Sequence, residues 1–220
     1  MDKIAICINL ICPIIMTRFM KLVKDIDKNS LKKQVTDKQA EDAFKTILSW
    51  IGEDPSREGL IETPKRVVKA FKEYFKGYSL DASQELKKTF GEVEGYDDMV
   101  VEKNISFESH CEHHIAPIIG VVHIAYLPKE KVVGLSKLAR TVEVFSKRLQ
   151  TQERLTMQIA NTLMNALDAR GVAVTIDAAH QCMTMRGVKK EKTTTITNYF
   201  LGTFKDDLSY QNRYLRYITK

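Results

Sequence analysis

A chain of 220 residues, 44% apolar and 28% charged, can bury one real core or at most two small ones. Its net charge of +6 is a modest excess that suits an anionic small molecule. No basic run of five or more is interleaved with aromatics, which excludes nucleic acid as the main ligand.

Ile4 to Met16 is mostly apolar but interrupted by Cys7, Asn9, Cys12 and Pro13, and it is too short to span a bilayer as a helix. Asp2 offsets Lys3 and no small-residue cleavage site follows, which argues against a secretory signal. Residues 1–30 are read as an appendage of unassigned role, with Met16 and Met20 as alternative starts, and 31–220 as the folded domain. No membrane contact is expected. The four cysteines lack the spacing of a disulfide framework, so a reducing, cytoplasmic setting is expected.

Thr36-x-x-Gln39 predicts a capping box, and Ala40, Ala43, Phe44, Ile47 and Ile51 then share one helical face up to Gly52. Thr63-Pro64 predicts an N-cap and first helical residue for a second helix, with its stripe at Val67, Ala70, Phe71, Tyr74 and Phe75. Met99–Phe107 and Gly120–Leu127, rich in β-branched and aromatic residues, read as strands. Leu135 to Leu149 and Leu155 to Leu167 carry apolar residues at helical spacing, the latter helix ending at Gly171. Val172–Ala178 and Thr193–Leu201 read as two further strands, and Asp206–Ile218 as a final helix. The order is helical pair, strand, strand, helix, helix, strand, strand. That is an α+β domain with an antiparallel sheet.

The chemistry concentrates in Cys111-Glu112-His113-His114 and His180-Gln181-Cys182, which hold two of the four cysteines and three of the five histidines. Thiolate and imidazole at this spacing suit zinc. Cys111, His114 and Cys182 as three ligands leave a tetrahedral ion one position for water, the mark of a catalytic site. A structural cage closed by His180 as fourth ligand is the alternative, but it has no use for His113. If the strand persists to residue 182, His180 and Cys182 project to one face. A neutral imidazole there is placed to move protons, as is His113 from the other side.

Lys137 and Arg140 lie three apart at the start of a helix, Arg186 follows Cys182 by four residues, and Arg66 sits in the Thr-Pro-Lys-Arg segment. Cations converging near a helix N-terminus make a polyphosphate site, whereas on their own they read as a solvated face. Glu153 falls in the first turn of its helix, where the macrodipole favours a carboxylate. It also matches the paired N1–H and 2-amino donors of a guanine edge, which adenine does not offer. His110-Cys111-Glu112 spells the H-x-E of zinc deaminases, but the Pro-Cys-x-x-Cys which that class requires is absent.

With these residues in hand, the chain resembles GTP cyclohydrolase I. The matching strings are Glu62–Val67, Cys111–His114, Gly134–Lys137, Gln152–Thr156, His180–Cys182 with Arg186-Gly187, and Thr193–Thr195, in the family's order across roughly residues 36 to 216. The resemblance implies a tunnelling fold, an antiparallel four-stranded sheet carrying two helices, behind an N-terminal helical pair. It implies a homodecamer of two pentamers with sites between subunits. It also implies conversion of GTP to 7,8-dihydroneopterin triphosphate and formate. By the same resemblance Cys111, His114 and Cys182 bind zinc, and His113 and His180 handle protons. Ser136 assists the later rearrangement, Gln152 and Glu153 hold guanine, and Lys137, Arg140, Arg186 and Arg66 hold the triphosphate.

Overall fold

Residues 35–87, 89–90 and 95–219 are described by the computed structural model. The expected appendage at residues 1–30 lies outside them. The described residues form two compact units that divide between Val68 and Lys69.

In the first unit, helix α1 (Asp37–Trp50) starts on the predicted capping box: Gln39 N donates to Thr36 Oγ1 at 3.2 Å and Thr36 N to Gln39 Oε1 at 2.9 Å. Helix α2 (Thr63–Tyr74), inside which the two units divide, begins one residue earlier than expected. The Thr63 hydroxyl donates back to the Gly59 carbonyl at 3.5 Å instead of capping, so Thr63 is helical and Pro64 falls one place inside.

The second unit continues with a 3-10 turn (Lys76–Ser79), α3 (Ala82–Glu85), β1 (Thr89–Phe90), β2 (Val100–Cys111), β3 (Pro117–Leu127) and β4 (Val132–Val133). Then come α4 (Leu135–Ser146), β5 (Leu149–Gln150), α5 (Gln152–Leu167), β6 (Gly171–His180), α6 (Gln181–Thr184), β7 (Thr195–Gly202), α7 (Thr203–Asp206) and α8 (Leu208–Ile218). The main sheet has five strands in the order β5-β2-β3-β6-β7. The four long strands pair antiparallel, but β5 adds a fifth that runs parallel to β2, with His110 opposite Leu149 and Cys111 opposite Gln150. The expectation of four antiparallel strands is corrected on that point. Two residues show no periodicity, so β5 exists only because the chain leaving α4 passes the end of β2.

Side-chain alternation along the strands builds two cores. Val122, Ile124 and Tyr126 of β3 and Val172, Val174 and Ile176 of β6 face Leu138 and Val142 of α4 and Leu155, Ile159 and Leu163 of α5. Each such fully buried side chain contributes about 1.5–3 kcal/mol. The intervening Ala125, Leu127 and Ala173 face Phe204 and Tyr214 on the opposite side. α5 ends at Leu167 with Asp168 in the left-handed region, φ 47°, ahead of the expected stop; Gly171 opens β6 instead.

Two close approaches fix how the strands and turns seat. A Cβ on Gly120 would meet the Asp177 carbonyl at 2.2 Å, so β3 crosses β6 at a distance only glycine allows. A Cβ on Gly77 would meet the Val144 carbonyl at 2.2 Å and that of Lys147 at 2.7 Å. There Gly77 N donates to Lys147 O at 3.0 Å, and Arg148 Nε returns a bond to Gly77 O at 2.9 Å.

Candidate active site

β2 runs four residues further than its composition predicts, so Cys111 is its last residue and is buried. The connection to β3 is only residues 112–116, pinned by Cys111 N to Ala116 O at 2.8 Å and Ile115 N to Cys111 O at 2.8 Å. Ile115 has φ 55°, the left-handed residue that closes this tight loop. His113 and His114 stand exposed on it, with Nδ1 atoms 3.7 Å and 3.9 Å from Cys111 Sγ.

β6 delivers the other half. It ends at His180, not at residue 182, so the same-face reading of His180 and Cys182 is corrected: Cys182 rides on the single helical turn α6 that follows. One ligand atom each from Cys111, His114 and Cys182 lies within 4.8 Å of the others. Both cysteines are free thiols. Two sulfurs and an imidazole nitrogen fit a zinc ion with one coordination position left over. Burial pushes the Cys182 thiol up and the adjoining Cys111 sulfur adds to that, while Arg186 opposes it.

His180 does not complete a cage. Its Nε2 lies 2.7 Å from Gln152 Oε1. Gln152, only 2% exposed, gives its Nε2 to the carbonyls of Thr195 at 2.7 Å and Ile176 at 3.1 Å, and to Thr197 Oγ1 at 3.2 Å. Those carbonyls only accept, so the amide is oriented with Oε1 towards His180, and His180 Nε2 must carry the hydrogen. Nδ1 is then the ring atom free to exchange a proton. Burial lowers the His180 pKa, and the nearby Glu153 carboxylate opposes that.

Glu153 is exposed in the first turn of α5, capped by Thr151 Oγ1, which accepts from Arg154 N at 3.3 Å. It borders a cleft of about 500 Å³ with Thr156, Met157, Thr197, Asn198 and Tyr199. The metal-ligand group is not part of that lining.

Lys137 and Arg140 do converge, but on a residue that sequence reading passed over. Glu85 Oε2 takes both, at 3.2 Å from Lys137 Nζ and 3.5 Å from Arg140. Ser136 is exposed beside them on the first turn of α4, and Arg186 is exposed next to Gly187, whose φ of 61° turns the chain after α6. Among the described residues no hydrogen bond joins Lys137 or Arg140 to the Cys–His–Cys group. Arg66 belongs to the first unit. His110, adjacent to the first ligand, points elsewhere: its ring packs on Tyr74 and Phe75 at centroid distances of 4.8 Å and 5.2 Å. That removes the deaminase-like reading of His110.

A Cys–His–Cys group able to hold a metal ion with room for a further ligand, near a half-buried imidazole held by a buried amide, is a candidate metal centre of the kind hydrolases use, on an α+β domain. The chain belongs to the GTP cyclohydrolase I family, whose model matches residues 40–219. It is 76% identical to GTP cyclohydrolase 1 of Pelagibacter ubique over 202 residues, covering 91% of this chain and all of that one. GTP cyclohydrolase 1 of Maricaulis maris is 57% identical over 83% of this chain and 89% of its own, and that of Brucella abortus 56% over 82% and 84%.

Proposed function

We infer that this chain converts GTP and water to 7,8-dihydroneopterin triphosphate and formate, feeding folate- or biopterin-type pterin synthesis. The observation that carries the reading is the meeting of Cys111, His114 and Cys182 within 4.8 Å in a chain of this family. These three residues would hold zinc, whose Lewis acidity, when it is bound, makes water a nucleophile near neutral pH.

The remaining work falls to the chain's own groups. Glu153 accepts the guanine N1–H and 2-amino hydrogens at the mouth of its cleft, which selects guanine against adenine. His180 takes up a proton at Nδ1, the free ring atom, and passes it to guanine N7, which makes C8 electrophilic. Gln152 belongs to the guanine end of the site, where its buried amide holds that imidazole in place. His113, exposed beside Cys111, handles protons as the imidazole ring opens and formate leaves. Ser136 assists the ribose rearrangement that precedes pterin closure. Lys137, Arg140, Arg186 and Arg66 hold the triphosphate and keep the opened intermediate from diffusing away.

Membership of the family supports a tunnelling-fold homodecamer of two pentamers, with each site completed between subunits. A reducing cytoplasm suits the two free thiols. Among the described residues no helix is long and apolar enough to cross a membrane. Residues 1–30 are read as an appendage to the catalytic domain, which their place before the family match at residues 40–219 supports. The test is to incubate zinc-loaded protein with GTP and measure formate together with pterin fluorescence after oxidation. Both products in equal amounts, lost on chelation, are expected; zinc bound tightly with neither product would overturn the reading.

A further inference from the structure

Arg154 and Glu112 lie inside the two signature strings, yet neither ligates metal nor has been given a part in the reaction. The structure puts them in contact. An Arg154 NH2 group donates to Glu112 Oε2 in a short ion pair and also to the Leu149 carbonyl at 3.0 Å. Arg154 Nε donates to Gln150 Oε1 at 3.0 Å. Gln150 is 1% exposed and is itself held, its Nε2 donating to the Phe145 carbonyl and to Gln158 Oε1, both at 2.9 Å. Glu112 N donates to Gln150 O at 3.0 Å, so the metal loop is tied to β5 through backbone as well as side chain. The second Glu112 oxygen lies 3.8 Å from His113 Nε2.

We propose that the Arg154–Glu112 pair is a latch that sets the position of the metal loop relative to the guanine carboxylate. Arg154 is the neighbour of Glu153 on the first turn of α5, and Glu112 lies between Cys111 and His113. The pair therefore joins, by one hydrogen-bonded path, the residue assigned to the guanine edge and those assigned to the metal and to proton transfer. Both are positioning residues. A guanidinium is needed because its planar fork serves Glu112, Leu149 and Gln150 at once, which a lysine ammonium cannot do. Groups bonded directly to metal ligands change retention or activity about 10- to 100-fold when removed. This pair acts one step further out, through the backbone of the loop, so the lower end of that range, about 10-fold, is expected.

The inference rests on the reading given under Proposed function, but its test does not depend on turnover alone. Zinc-loaded wild type, Glu112→Gln, Arg154→Met, Arg154→Lys and the double variant Glu112→Gln/Arg154→Met are mixed with excess 4-(2-pyridylazo)resorcinol, and zinc release is timed. The same proteins are assayed for kcat and KM with GTP. Release about 10-fold faster and kcat about 10-fold lower are expected for each single loss, with KM for GTP little changed. The double variant should be no worse than the worse single, and Arg154→Lys should recover only part of the loss. Wild-type release rates and kcat in the variants, with only a lowered unfolding midpoint, would make the pair a structural tie and overturn the proposal. If Arg154→Met does not fold, Glu112→Gln, which keeps the shape of the side chain, decides on the same two readouts. A wild type that retains zinc but makes no formate would instead sink the cyclohydrolase reading, while the zinc-release comparison would still decide the latch.

Discussion

Replacing Gln152 with methionine keeps the length of the side chain and removes every hydrogen bond it makes. The amide has two hydrogens shared among three acceptors, and an oxygen that accepts from His180. Three such bonds at about 1 kcal/mol net each, in a side chain 2% exposed, give a loss of about 3 kcal/mol. Thr197 keeps the hydroxyl of Thr156 at 2.7 Å, so the figure is bounded at about 2–4 kcal/mol instead of rising further. With a urea slope of about 2 kcal/mol per molar, the midpoint should fall by about 1–2 M, read by circular dichroism. In the surviving folded protein kcat should drop because His180 loses the partner that fixes which ring nitrogen is free, while KM for GTP stays near wild type. An unmoved midpoint with a raised KM would show that the amide faces guanine, and the inward arrangement argued from its bonds would be refuted.

Cys111→Ser or Cys182→Ser should abolish zinc retention and turnover together, checked by metal analysis after gel filtration; full activity without metal would remove zinc from the mechanism. Glu85→Gln should tighten binding of inorganic triphosphate several-fold in calorimetry, because the carboxylate that occupies both Lys137 and Arg140 no longer competes; weaker binding would mean that Glu85 orients them instead. Burial holds His123 below its ordinary value, against Asp177 and helped by Lys103, and Asn104 N donates to its Nδ1 at 3.2 Å. The unfolded chain therefore binds that proton first, and stability present above about pH 6.5 is lost as pH falls below it. Wild type should lose more stability than His123→Gln in urea unfolding between about pH 7.5 and about pH 5.5; parallel losses would clear His123. Leu163→Ala, at a fully buried position of α5, should cost about 2–5 kcal/mol in the same assay; a cost near zero would contradict its place in the core.

The sequence disclosed what is encoded locally. The Thr36–Gln39 box can be read from four residues because both its bonds close within one turn. Cys111 and His114 are legible by spacing, and Cys182 by being the remaining cysteine outside the N-terminal segment. What escaped depends on partners far along the chain. Gln152 turns inward because β6 and β7 present carbonyls there, a register that no window around residue 152 contains. Glu85 meets Lys137 across 52 positions, and Arg154 meets Glu112 across 42. Each partner lies beyond any local window, and the signal that would have raised Arg154 is its place inside a signature string. β5 and the turn after His180 were missed for the opposite reason: two to four residues are too few to show a period.

The contact at Gly77 bears on how inherited or selected variants of this chain should be interpreted. A methyl group there collides with two main-chain oxygens that belong to the end of α4 and the corner behind it, and main-chain atoms cannot be rotated aside as a side-chain tip can. That corner leads within two residues to the strand on which the Cys111 end of β2 rests. A Gly77→Ala isolate would therefore score as a null in a genetic screen with every ligand, base and cation unaltered. A catalogue of disabling variants mapped only onto the chemistry would leave it without an explanation.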